Sequence, residues 1–415
     1  MAIPVELSCV LCGRRFDPCE PVLTCPDCGL DGTFDVTYDY ESAAKILNRA
    51  SLANCKRRDL WRYIAVLPVS GEESIPDLAV GWTPLYRSKG LAEKWGVGEV
   101  YIKDDGRNPT GSLKDRASAV GVLKALEAGR KVVSCASTGN AASSLAGFAA
   151  VAGLKSVIFV PEEAPHAKVA QLLVYGAEVV LVRGGYEKAF DLATQAIDAW
   201  GWYNRNCAIN PYLVEGKKTC AMEIAEQLEW DIPDVVFVAV GDGCIISGLY
   251  KGFLDLLRLG VTDRVPRIIG VQAEGAAPIC KAFRKGSGKV EFAPAQTVAD
   301  SISVGSPRNW AKALRAVRES FGEMIAVTDD EILSAIPELA RSTGVFGEPA
   351  GVTGFAGFRK MAEQGLIGKN ERVVVIVTGN GLKDIEGAKR SVGAPVVVNA
   401  DLDELRKVLG DGLGI

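Results

Sequence analysis

Two sets of residues in this sequence have types and spacings that could do chemistry. The first centres on a lysine. Residues 108–116 read NPTGSLKDR; they follow a short strand-like run at 100–103 and a polar turn, and lead into an apolar, helix-compatible segment at 117–126. Ser112 is a helix N-cap by residue type, which would put Lys114 in the first helical turn. There the positive end of the helix dipole lowers an amine's pKa and favours the neutral nucleophile, the form a Schiff-base lysine needs. The same residues also suit a surface lysine that pairs with Asp115. This stretch alone leaves both readings open.

The second set is Cys9, Cys12, Cys25 and Cys28, two CxxC pairs separated by a short strand-like segment. Each pair can place two thiolates about 2.3 Å from one Zn²⁺, and two pairs complete a tetrahedron. Gly13 and Gly29, directly after the pairs, let the backbone turn back toward the metal. Four thiolates leave no open coordination position, so the expected zinc is structural. Cys19, between the pairs, is read as a spectator. The other six cysteines (55, 135, 207, 220, 244 and 280) are scattered and are expected to be buried free thiols in a reducing compartment. An odd total of 11 also argues against a disulfide framework.

The elements that must position these groups follow from the apolar pattern. β-branched runs at 132–136, 156–160, 178–182, 235–240 and 372–377 alternate with helix-like segments, which predicts parallel sheets covered on both faces. In such sheets ligands bind beyond the carboxyl ends of the strands. Glycine turns follow three of these runs, at 137–140, 241–245 and 378–384, so they could converge on one ligand. The 241–248 turn opens a helix and could cradle a phosphate with its backbone amides, although it is neither GxGxxG nor GxxxxGK[ST]. Asp242 suits an anion cradle only if its carboxylate points away. The only histidine, His166, is read as a helix-start residue, which leaves Ser-His-Asp and Cys-His schemes without a supporting signature. A lysine acting with a phosphorylated cofactor is the most economical chemistry.

Length and charge bound the rest. With 415 residues, and about 150 per domain, two domains and an appendage are expected. A formal charge of −4, which no cluster of Lys and Arg overrides, argues against nucleic acid as a partner. No apolar run approaches the ~20 residues of a membrane span, and the amino terminus lacks a signal pattern, so a cytoplasmic location is predicted. The basic stretch at 56–63, KRRDLWRY, is expected to be a solvated face or a domain contact.

Together NPTGSLKDR (108–116), STGNAAS (137–143), NPYLVEGKKT (210–219), GEPAG (347–351) and TGNGLKD (378–384) resemble the pyridoxal-phosphate enzymes of fold type II, most closely the threonine synthase family. The amino-terminal ribbon and the tail PVVVNADLDELRKVL (395–409) resemble it too. The resemblance implies an α/β fold of two three-layer domains with mainly parallel sheets, plus a small zinc ribbon at 1–40. The larger domain would span 41–117 and 216–395, the smaller 118–215 with the Asn140 loop, and 396–415 would form a tail. It implies that Lys114 holds pyridoxal 5'-phosphate as a Schiff base and that Asn140 meets the ring's 3-oxygen. It also implies that Gly241, Asp242, Gly243, Cys244 and Ile245 bind the cofactor phosphate and that Thr378 meets the pyridine nitrogen.

Ser137, Thr138 and Ala141 would hold the substrate carboxylate, with Arg116, Arg205, Lys217 and Lys218 as candidates for a substrate phosphate. The implied reaction converts O-phospho-L-homoserine and water to L-threonine and phosphate, in a homodimer. Three positions depart from the family pattern. The cofactor-phosphate turn is GDGC rather than GNAGN-like, Leu113 replaces an aromatic residue, and EGKKT replaces EGQKT. These departures keep open a cysteate-synthase-like β-replacement on O-phosphoserine and a threonine/serine dehydratase. The non-enzymatic alternative is a zinc-ribbon scaffold.

Overall fold

The computed structural model describes residues 4–413 except positions 21 and 165. The β-branched runs form strands and the glycine turns end them. In chain order the strands are β1 (Pro4–Cys9), β2 (Arg15–Phe16), β3 (Phe34–Tyr38), β4 (Leu85–Arg87), β5 (Glu99–Asp104), β6 (Val132–Ala136) and β7 (Lys155–Pro161). Then follow β8 (Glu178–Val182), β9 (Tyr203–Asn204), β10 (Val235–Ala239), β11 (Arg267–Ala273), β12 (Glu323–Val327) and β13 (Arg372–Val377).

The strands make three sheets. The largest has the order β12-β11-β10-β13-β5-β4 and is parallel except for β4, which runs antiparallel along β5. The second, β8-β7-β6-β9, is wholly parallel. Alternate residues of a strand face opposite ways, and here both directions lead into apolar cores. Val236 and Val238 of β10 join one core with the helices Lys114–Glu127, Tyr212–Gln227 and Cys244–Arg258. Val235, Phe237 and Ala239 join the other, under the helices Asp329–Thr343 and Pro349–Glu363. The smaller sheet is sandwiched in the same way, with Val157 and Phe159 against the helix Gly185–Trp200, and Ile158 and Val160 against Asn140–Val151. Both sheets are therefore the middle layer of three.

The expected domain borders at 117/118 and 215/216 fall inside the Lys114–Glu127 and Tyr212–Gln227 helices. The two helices pack on each other and contribute to a core that reaches both sheets, so no solvated linker marks the transition. Before the basic stretch the chain forms two helices, Tyr40–Ile46 and Arg49–Asn54. Asn48 starts the second with a capping box to Ser51, which breaks the first. Within the basic stretch, Arg62 is buried against Glu226, which packs the stretch onto the Tyr212–Gln227 helix. The helix Leu402–Leu413 closes the described chain.

The amino-terminal sheet, β2-β1-β3, is antiparallel. It presents the sulfurs of Cys9, Cys12, Cys25 and Cys28 within 4.8 Å of one another. It is fixed to the larger domain at charged positions. Tyr38 donates to Glu215 at 2.9 Å, the Lys312 ammonium donates to the Phe34 carbonyl, and Arg315 pairs with Asp35 at 2.6 Å.

Candidate active site

The strands β10, β13 and β5 are neighbours, so their carboxyl ends open side by side. The turns that leave β5 and β13 are stitched together by the backbone. Leu113 N–H donates to the Thr378 carbonyl at 2.9 Å, and Asn380 N–H donates to the Gly111 carbonyl at 2.9 Å. Ser112 pairs with Gly379, and Gly347 with Asn380, as isolated bridges. This stitching corrects the expectation for Ser112. The helix begins at Lys114 with Leu113 as its N-cap and no side-chain cap, because Ser112 is held in the bridge to Gly379.

Lys114 is the first residue of its helix and is partly open. Its amine is not paired with Asp115. That buried carboxylate instead accepts from the Thr110 amide at 2.6 Å and from the Thr110 hydroxyl. Burial, reinforced by the Lys217 and Arg205 cations, pushes the Lys114 pKa down. The surface-pair reading is thereby excluded, and the shift is toward the neutral amine.

Asn140 begins the helix Asn140–Val151, whose N-cap is Gly139. Gly139 supplies no capping side chain, so the first amides of this helix, beside Ser137, Thr138 and Ala141, lack an acceptor from the cap. The Asn140 side-chain amide donates to Glu348 Oε1 at 2.6 Å. A Cβ added at Gly379 would lie 2.1 Å from that carboxylate oxygen and 3.2 Å from the Asn140 amide nitrogen, so the loop after β13 runs directly beneath both. Thr378, nearly buried, precedes it. The site therefore contains Glu348, a residue to which sequence reasoning gave no role although it lies in the GEPAG motif. Burial lifts its carboxyl to about 7.

The turn after β10 has the form of an anion cradle. Gly243 adopts φ +91°, a left-handed conformation that favours glycine, and a Cβ there would meet the Asn309 carbonyl at 2.8 Å. The helix Cys244–Arg258 starts without a side-chain cap, so its leading amides are available to an anion. Asp242 is kept from filling the cradle: Oδ1 accepts the Arg308 amide at 2.6 Å and Oδ2 lies 3.4 Å from the Cys244 sulfur. Burial raises its pKa to about 6. An amine, uncapped amides at a glycine turn, and a buried amide–carboxylate pair make up a donor set that fits pyridoxal phosphate.

The four candidate cations for a substrate phosphate separate into two pairs. Arg116 is fully buried between Asp105 and Glu223, bonding Asp105 through Nε at 2.7 Å and Glu223 through Nη2 at 2.8 Å. Lys218 is fully buried against Glu215 and Asp255, the latter at 2.7 Å. Both charges are already neutralised, and both expectations are corrected. Lys217 and Arg205 differ because no carboxylate pairs with either among the described residues. Lys217 Nζ sits 2.7 Å from the Cys207 sulfur, and Arg205 bonds Ser118 Oγ at 2.9 Å and the Lys114 carbonyl at 3.5 Å. Two buried, carboxylate-free cations beside Lys114 are suited to a dianion. Nothing in the sequence pattern drew attention to Cys207, a loop residue brought to Lys217 only by the tertiary fold.

Comparison with known proteins agrees with this geometry. A family model described as pyridoxal-phosphate dependent enzyme matches residues 76–379. Threonine synthase of Methanocaldococcus jannaschii is 42% identical over 405 residues, covering 97% of this chain and 98% of the relative. Threonine synthase of Methanosarcina acetivorans is 42% identical over 407 residues, with the same coverage of 97% and 98%. Among solved structures, processed threonine deaminase isoform 2 from Solanum lycopersicum superposes with a TM-score of 0.64 at 26% identity, covering 75% of this chain and 88% of that one.

Proposed function

Because the chain belongs to the pyridoxal-phosphate dependent enzymes and, within them, to the threonine synthases, we propose that it converts O-phospho-L-homoserine and water to L-threonine and phosphate. The observation that carries this reading is the placement of Lys114. Its amine stands at a helix start where the turns from β5 and β13 are bonded to each other, with two carboxylate-free cations beside it.

When bound, pyridoxal phosphate supplies an electron sink for charge developing at the substrate's α-carbon. The chain supplies the rest. Lys114 holds the cofactor and then, as an amine made less basic by burial and by Lys217, moves protons at the α- and β-carbons. The 241–245 turn would grip the cofactor phosphate through backbone amides, Asn140 would face the ring's 3-oxygen and Thr378 the ring nitrogen. A hydroxyl there, unlike a carboxylate, would not enforce a ring cation, so the sink would be a mild one. Ser137, Thr138 and Ala141 hold the substrate carboxylate at the uncapped start of the Asn140 helix. Lys217 and Arg205 hold the phosphate that leaves from the γ-carbon. Charge assistance from both would favour a phosphate ester over a free hydroxyl as the leaving group.

We also assign the four-cysteine cluster to a structural Zn²⁺, supported by four sulfurs within 4.8 Å of one another. Homodimerisation rests on the family resemblance and is tested by sizing in solution. The catalytic reading is tested by phosphate release from O-phosphohomoserine, with O-phosphoserine, threonine and serine as comparisons, with and without sulfite or sulfide. Release from O-phosphohomoserine alone supports it. Turnover only of O-phosphoserine, or of threonine and serine, would transfer the assignment to β-replacement or dehydration.

A further inference from the structure

The thiols of Cys207 and Cys244 are not used by the proposed reaction, yet they pack together beside Lys217. Cys207 is partly open to solvent. Its sulfur has Lys217 Nζ at 2.7 Å and Arg205 Nη1 at 3.9 Å. Cys244 is buried at the start of its helix and packs with Cys207 in a small apolar cluster that includes Ala208 and Val214. The two supporting helices touch at backbone level. A Cβ at Gly252 would lie 2.2 Å from the Lys218 carbonyl, and one at Gly248 would lie 3.0 Å from Lys217 Cβ. That close approach is what brings the first turn of one helix to the thiol beside the other.

We propose that Cys207 and Cys244 are a hydroperoxide-responsive thiol pair, in which Cys207 is the oxidised nucleophile and Cys244 resolves it to a disulfide. The Cys207 pKa is held well below the usual thiol range, first by the neighbouring Cys244 thiol and then by the Lys217, Arg205 and Lys114 charges. Cys244 is raised by the neighbouring Cys207 sulfur and by burial, so it stays protonated until it is needed. The buried thiols of Cys135 and Cys220 show the contrast. Burial is the leading influence on each and raises both, Cys135 to about 11.

The chemistry balances with peroxide as the oxidant. The Cys207 thiolate attacks one peroxide oxygen, the O–O bond breaks, and the other oxygen leaves as water after taking a proton from Lys217. Cys244 then loses its proton to the Asp242 carboxylate, 3.4 Å away, and attacks the Cys207 sulfur. The S–O bond breaks, the S–S bond forms, and the departing hydroxide takes back the proton held by Asp242 and leaves as a second water. Two thiols lose two electrons and the peroxide gains them. The disulfide removes the anion that neutralises Lys217 and ties down the first turn of the helix whose amides face the cofactor phosphate. Catalysis should stop until a reductant restores the thiols.

The test treats the holoenzyme with one equivalent of hydrogen peroxide, blocks free thiols with iodoacetamide, and maps peptides without reduction. The expected result is a Cys207–Cys244 linked peptide that disappears with dithiothreitol, with Cys207 consumed at least about tenfold faster than Cys135. In Cys244→Ser, oxidation should stop at a Cys207 sulfenic acid captured by dimedone. Recovery of Cys207 alkylated as fully as Cys135 would overturn the proposal. Oxidation of wild-type Cys207 with Cys244 still free would overturn the resolving role.

Discussion

Asn140 and Glu348 come from different sheets and are 208 positions apart, yet the amide of one donates to the carboxyl of the other at 2.6 Å. Each belongs to a motif with a local purpose, since Asn140 starts one helix and Glu348 is the N-cap residue of another. Their meeting joins the two α/β domains above the Gly379 backbone.

Glu348 should make stability depend on pH. Burial lifts its carboxyl from 4.5 to about 7, so the folded protein binds this proton more tightly than the unfolded chain does. A raised acid contributes stability that is complete below about 4.5 and is lost as pH climbs through 7. The linkage ceiling is roughly 3 kcal/mol. Glu348→Gln, which keeps the shape and carries no titratable proton, should flatten this loss. The check is Tm of the cofactor-free protein at pH 5 and pH 8. An unchanged difference between the two in Glu348→Gln would remove Glu348 as its source.

Arg116 and Lys217 should respond in opposite ways to neutralisation. Arg116→Met leaves Asp105 and Glu223 facing each other, buried and without their shared cation, and should cost about 3–5 kcal/mol of stability. Lys217→Gln strands no carboxylate, so Tm should fall little, while KM for a phosphorylated substrate rises by roughly tenfold or more. Melting curves and phosphate-release kinetics on the two variants separate the roles. A large loss of Tm in Lys217→Gln with unchanged KM would make Lys217 a structural residue.

What could be read from the sequence divides along the same line. The strand runs at 235–240 and 372–377, and the turns that end them, were legible because burial on both faces demands continuous β-branched stretches and glycine at the exit. The four ribbon cysteines could be grouped because each CxxC pair is recognisable locally, and the fold brings their sulfurs within 4.8 Å of one another. Arg116 was misread because its partners, Asp105 and Glu223, lie 11 and 107 positions away, and only the packed core shows that they already neutralise it. Glu348 and Cys207 went unread for the complementary reason: their roles come from Asn140 and Lys217, which no local pattern links to them.

Gly243→Ala tests the phosphate cradle. At φ +91° an alanine costs about 1–2 kcal/mol, and its methyl would press on the Asn309 carbonyl, 2.8 Å from the ideal Cβ position. Movement of the turn shifts the leading amides of the Cys244 helix away from the phosphate. Cofactor affinity, followed by titrating the cofactor-free protein with pyridoxal phosphate, should weaken by at least about tenfold. Unaltered affinity would mean that the phosphate is held elsewhere.

Removal of metal should act on the site at a distance. The ribbon carries Tyr38, which donates to Glu215 at 2.9 Å, and Asp35, which pairs with Arg315 at 2.6 Å. Glu215 lies two positions before Lys217 on the same helix and also pairs with Lys218. Four thiolates without their cation repel one another, so the ribbon should loosen, Tyr38 should withdraw, and the buried charges of Glu215, Lys218 and Asp255 should become open to water. Cys9→Ser combined with Cys12→Ser should therefore lose about one zinc per chain by metal analysis and lower Tm by several degrees. Hydrogen exchange in residues 212–220 should rise at the same time. Zinc content equal to that of the wild type would refute the metal site. Metal loss with unchanged exchange at 212–220 would show that the ribbon does not brace the Lys217 helix.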